Sequence, residues 1–124
     1  MPWTRAVHLN HWADTQLASR NLPLLVRKLI RGTVPALKRL NIPANEQTSR
    51  PGFDGTVVSE VRTEFVPSGL SIWEMGVNQD PQSKASRDAA RRCEQLTLEE
   101  RSERTFVFVT PRPWIKKDEW ARAL

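Results

Sequence analysis

Tyrosine is absent from this chain, cysteine occurs once, at Cys93, and no apolar run is longer than a few residues. A lone cysteine excludes an internal disulfide and any zinc site built on cysteines. No stretch approaches the ~20 apolar residues of a membrane-spanning helix, so no membrane association is expected. Met1-Pro2-Trp3-Thr4-Arg5 leads into no apolar segment of the signal-peptide kind. A cytoplasmic location is therefore expected by default. A glycine-rich loop ending in Lys-Ser or Lys-Thr is also missing, which removes the P-loop. What the chain does have is a hydrophobic fraction of 39% and a charged fraction of 27%, the composition of a globular domain. Its 124 residues suffice for one domain with its own core. The charge is uneven. Residues 1–50 carry eight Lys and Arg against two Asp and Glu, whereas residues 51–124 carry eleven against twelve. A basic half suits a polyanion such as nucleic acid.

Periodicity divides the chain into alternating helices and strands. Asn10 caps a first helix, expected to stop near Arg20 because Pro23 opposes a continuing turn. Asn21 opens a second, with Leu22, Leu25, Val26, Leu29 and Ile30 on one face, Arg27, Lys28 and Arg31 on the other, and Gly32 closing it. Residues 36–42 form a short strand and 43–52 a loop. Residues 53–61 and 70–77 are rich in β-branched and apolar residues and form an antiparallel hairpin. Asp80 and Pro81 are the cap and first residue of another helix. Its apolar stripe is Ala85, Ala89, Cys93 and Leu96, with Arg87, Asp88, Arg91 and Glu94 solvated. Residues 97–104 connect to Phe106–Val109, a continuously apolar strand of the kind buried on both faces. Asp118 caps a last helical piece. The order is that of an α/β sandwich, a mixed four-stranded sheet flanked by helices, its last strand parallel to an earlier one because a crossover helix precedes it.

Two acids stand out on the hairpin. Asp54 opens one strand and Glu74 lies in the next, inside Ile72-Trp73-Glu74-Met75. Pairing of the strands lets both carboxylates project from one face at one end of the sheet. Two such carboxylates form a hard-oxygen site suited to Mg²⁺ (or Mn²⁺), and a carboxylate on an apolar strand needs a partner. Trp73 alternates with Glu74 and points into the core. Weaker candidates are Asn78 and Gln79 just past the strand, Asp14 on the first helix, and Glu46 and Glu60. His8 and His11 lack a third ligand for zinc. Cys93 is expected as a small core residue without a histidine partner.

The order αβββαβ, with Gly52-Phe53-Asp54-Gly55 on one hairpin strand and Trp73-Glu74-Met75-Gly76 on the next, resembles the PD-(D/E)xK nuclease superfamily. It is similar in particular to the Mrr-like nuclease domains at the N-termini of bacterial anti-phage proteins. The resemblance covers roughly residues 12–115. It implies a restriction-endonuclease-like αβββαβ sandwich and Mg²⁺-dependent endonuclease cleavage of DNA, with Asp54 and Glu74 as metal ligands. The family's lysine falls two residues after the Glu, a position occupied here by Gly76. Lys84, at the start of the crossover helix, is the nearest substitute. Arg87, Arg91 and Arg92 on that helix, with Lys28 and Arg31, are expected to hold the DNA backbone. The alternative is an inactive module of the same fold that binds DNA or a partner protein. Residues 1–124 are expected to form a single nuclease-like domain, the N-terminal module of a longer protein controlled by a fused or associated sensor or effector. Trp114 and Trp120 are expected to pack against that absent part. A sheet of four strands often needs a neighbour, which allows a homo-oligomer.

Overall fold

A computed structural model describes residues 6–15, 17–43 and 54–123. The described residues form five helices and one sheet. In chain order these are α1 (Ala6–Ala13), α2 (Ala18–Thr33), β1 (Leu37–Asn41), β2 (Gly55–Ser59), β3 (Gly69–Met75), α3 (Pro81–Gln95), α4 (Leu98–Glu103), β4 (Arg104–Val109) and α5 (Lys117–Ala123). The sheet order is β1-β2-β3-β4. The first two pairings are antiparallel and β3–β4 is parallel. The expected mixed four-stranded sheet flanked by helices is therefore present.

β3 is the central element. Every residue from Ser71 to Met75 is buried, because helices cover both sheet faces. Alternation sends Trp73 and Met75 to one face, where they meet Leu22, Val26 and Ile30 of α2 together with Val57. Each such aliphatic side chain stabilises the fold by about 1.5–3 kcal/mol when fully buried. The indole N–H of Trp73 donates to Ser71 Oγ at 2.8 Å, so the ring is buried without an unpaired donor. The other face carries Ile72 and Glu74. Their register neighbours on β4 are Phe106 and Phe108. That face is covered by α3 and by the C-terminal segment.

Local expectations are corrected at five places. α1 ends at Ala13 and α2 begins at Ala18, with Pro23 inside it. Proline removes only one helical hydrogen bond, to Ser19, and the buried Leu22–Val26–Ile30 ridge holds the turn regardless. That ridge is narrower than the sequence pattern suggests, since Leu25 and Leu29 are exposed. On α3 the buried face is Pro81, Ala85, Asp88, Ala89 and Arg92, while Cys93 is exposed. The stripe is rotated because Glu74, on the sheet beneath, draws Arg92 inward. β4 is an edge strand and only half-buried, not a strand covered on both sides. Trp114 and Trp120 find partners within the chain. Trp120 stacks obliquely on Phe106 and Trp114 meets Phe108 edge-on. Their indole N–H groups donate to Ser86 Oγ and Gln82 Oε1 on α3.

Candidate active site

The site forms where the β2–β3 hairpin ends. Gly55 pairs with Trp73, which sets Asp54 across from Glu74. Asp54 does not spend its side chain on a local Asp-Gly turn. Its Oδ2 accepts the N–H of Met75 at 3.0 Å, tying the start of β2 to the end of β3. The carboxyl groups of Asp54 and Glu74 lie within hydrogen-bonding reach of each other. Two carboxyls this close need a shared proton or a cation between them.

Glu74 is 3% exposed. Its carboxyl is pushed up from an ordinary 4.5 to about 7. Burial is the largest cause, with α3 above it and Phe108 beside it. The contact with Asp54 adds to the rise, and the guanidinium of Arg92 opposes it. Arg92 Nε donates to Glu74 Oε1 at 2.5 Å, and its Nη1 donates to Gln95 Oε1 at 3.0 Å. Arg92, grouped above with Arg87 and Arg91 as a phosphate contact, is thus turned into the protein. The Arg92 guanidinium, from the last turn of α3, offsets the desolvation of the Glu74 carboxylate.

Lys84 reaches the site from the first turns of α3. Its Nζ donates to Asp88 Oδ2 at 2.7 Å. Asp88, expected in solvent, is buried there. The aliphatic stem of Lys84 runs directly over Gly76, so that a Cβ at residue 76 would collide with its Cδ and Cε. Glycine at 76 and lysine at 84 are therefore sterically reciprocal: the space beside Gly76 is filled from the helix. Lys84 and Asp54 line one cleft of about 290 Å³ with Gly76, Asn78 and, from α2, Ser19 and Pro23. The N-terminal turns of α2 and α3 both border it. Asp80 caps α3 by accepting the N–H of Ser83, as its sequence position suggests.

The remaining candidates scatter. Asp14 is bound to Arg112 at 2.8 Å. Arg112 also donates to the carbonyls of Val77 and Asn10, clamping α1 to the segment after β3. No local signal marks Arg112, because its partners are distant in sequence. Gln79 is exposed. Glu60 pairs with Lys38 at the opposite end of β2. Glu46 lies outside the described residues. Arg87 and Arg91 are exposed on α3, whereas Lys28 and Arg31 are exposed on α2, across the sheet. The four do not form one surface.

No group of three or more His, Cys, Asp or Glu that would hold a metal occurs among the described residues. The donor chemistry of Asp54 and Glu74 nonetheless fits Mg²⁺, which takes one or two carboxylates and keeps several waters. No helix among the described residues is long and apolar enough to cross a membrane. Compared with family models, with curated proteins and with solved structures, the chain matches none.

Proposed function

We propose that this chain is a Mg²⁺-dependent endonuclease domain of restriction-endonuclease-like fold that hydrolyses DNA phosphodiester bonds. The reading is carried by one observation: Asp54, Glu74 and the stem of Lys84 over Gly76 converge at one end of the sheet. Asp54 and Glu74 are the residues that would hold the metal, with Mn²⁺ as an alternative. A metal there, when bound, acidifies a water and neutralises a phosphate oxygen.

The chain's own groups account for the rest of the chemistry. Lys84 offers a fixed positive charge at the cleft, where negative charge builds on the phosphate during attack. Asp88 holds that ammonium in place, so little reorganisation is needed. The N-terminal ends of α2 and α3 add oriented partial positive charge to the same cleft, favourable to a phosphate. Arg92 fixes the orientation of Glu74 from α3. Arg87 and Arg91, exposed on the helix that carries Lys84, are placed to follow a DNA backbone away from the cleft. The resemblance extends the proposal to anti-phage defence in the bacterial cytoplasm, under control of a fused or associated sensor or effector.

One observation favours a second reading, a non-catalytic module of this fold that binds DNA or a partner protein. Glu74 already has a guanidinium counter-ion, which competes with a metal. Calorimetric titration with Mn²⁺, paired with cleavage of plasmid DNA in Mg²⁺, separates the two. Metal binding and cleavage that disappear together in Asp54→Asn support the nuclease. Absence of Mn²⁺ binding at millimolar metal overturns it and leaves the module.

A further inference from the structure

We propose that the free edge of β4 is a docking surface for a second copy of this chain, whose own β4 pairs with it antiparallel across a two-fold axis. The inference is independent of the chemistry at the cleft.

The backbone supplies the first argument. The carbonyl of Val109 accepts the N–H of Gly76, so Val109 faces β3. Alternation turns Val107 and Thr105 the same way and points the N–H and C=O groups of Arg104, Phe106 and Phe108 outward. Among the described residues no strand pairs with β4 on that side. An antiparallel copy satisfies these groups reciprocally.

The two edges of the sheet are also unlike. β1, the other edge, carries Lys38 and Arg39 and a register shift between Leu37 and Arg39. Charged side chains and bulges are the usual protection of an edge against pairing. β4 has neither over Thr105–Val109, and its run is Thr-Phe-Val-Phe-Val. Beside it runs an open groove of about 820 Å³, bordered by Leu29 and Phe65 on one side and Trp120 on the other. Leu29 is 56% exposed and Phe65 78% exposed. Large apolar side chains exposed together beside an unprotected edge mark an interaction surface.

Charge identifies the occupant. The segment entering β4, α4, carries Glu99 and Glu103 against Arg101, its Glu100 being paired with Arg104 at 3.0 Å. The segment leaving β4 carries Lys116 and Lys117 ahead of Asp118 and Glu119, with Lys117 against Asp118 at 3.2 Å. An antiparallel two-fold pairing sets the acidic flank of each copy beside the basic flank of the other, and does so twice. A parallel pairing would set like flanks together, so the flanking charges favour the antiparallel orientation.

Sedimentation velocity on the whole chain from 1 to 100 µM tests this, with amide hydrogen exchange at both ends of that range. The expected result is a reversible species of twice the 14.2 kDa chain mass. The amides of Phe106 and Phe108 should be protected at high concentration and exchange on dilution. Those of Val107 and Val109, already bonded within the sheet, should be protected at both. Thr105→Lys, at an exposed position, should weaken association at least tenfold while leaving the circular dichroism spectrum unchanged. Lys116→Glu with Lys117→Glu should do the same at low salt, and Glu99→Lys with Glu103→Lys in the same chain should restore it. A chain that stays monomeric at 100 µM overturns the proposal. So does a dimer in which the Phe106 and Phe108 amides exchange freely, or one indifferent to both the lysine and the charge reversals.

Discussion

Replacing Glu74 by glutamine should change how stability depends on pH, and the size of the change follows from the site. In the folded chain the Glu74 carboxyl holds its proton up to about pH 7, against an ordinary 4.5. Below pH 4.5 both the folded and the unfolded chain carry that proton, and its contribution to stability is fully present. Between 4.5 and about 7 the unfolded chain releases the proton while the folded chain keeps it, so stability falls as pH rises. At about 1.4 kcal/mol per pH unit the whole span amounts to about 3 kcal/mol, of which roughly 2.5 kcal/mol falls between pH 5 and pH 8. Glutamine keeps the shape and cannot titrate. Its difference from the protonated acid adds a constant offset, so only the proton taken up by Glu74 makes the comparison depend on pH. The measurement is urea unfolding at pH 5 and pH 8 in EDTA, followed by tryptophan fluorescence, for the native chain and Glu74→Gln. The stability of the native chain relative to the variant should drop by roughly 2.5 kcal/mol from pH 5 to pH 8. A difference that stays constant within about 1 kcal/mol, or one that grows with pH, refutes the reasoning that burial dominates over Arg92 at this carboxyl.

Other perturbations probe the same architecture. Arg92→Met leaves Glu74 buried without its counter-ion and should cost about 3–5 kcal/mol in urea unfolding at pH 8, with a smaller loss at pH 5, where Glu74 is protonated. Lys84→Ala should lower the rate of DNA cleavage at least about 100-fold, the scale of losing one preorganised charge stabiliser. Gly76→Ala should reproduce that loss and also lower the melting temperature, since the new Cβ displaces the end of Lys84 that pairs with the buried Asp88 carboxylate. Gly55→Ala is different in kind: its Cβ would lie 2.5 Å from Ile42 Cγ1 and 3.1 Å from the Asn41 carbonyl. Thermal or urea unfolding of that variant should show a loss of about 1–3 kcal/mol, the usual penalty of overpacking.

Features settled within a few residues of one another were legible in the sequence alone. The Leu22–Val26–Ile30 spacing, the Asp80-Pro81 cap and the β-branched content around Val57 all act through neighbouring backbone, so local pattern suffices for them. The hairpin was legible for another reason, that its two strands are consecutive in the chain with only a turn between them. Once residues 53–61 and 70–77 pair antiparallel, Asp54 and Glu74 meet at its end, and Trp73 must turn to the opposite face. What lay beyond local pattern was decided by groups far apart in the chain. Arg92 turns inward and Cys93 outward because Glu74 lies beneath that face of α3, 18 residues away in sequence. Arg112 joins α1 to the end of β3 over separations of 35 and 102 residues, and nothing near it in sequence signals this. The Phe-Val-Phe-Val run of β4 is equally apolar whether central or at an edge; only the sheet order shows that no strand among the described residues pairs with its other side. Gly76 is an absence in the sequence, and only the passage of Lys84 over it shows that the space is filled. Hydrophobic periodicity encodes which face of an element is apolar, whereas the partner of a charge and the neighbour of a strand are set by tertiary packing, where burial makes an unpaired group costly.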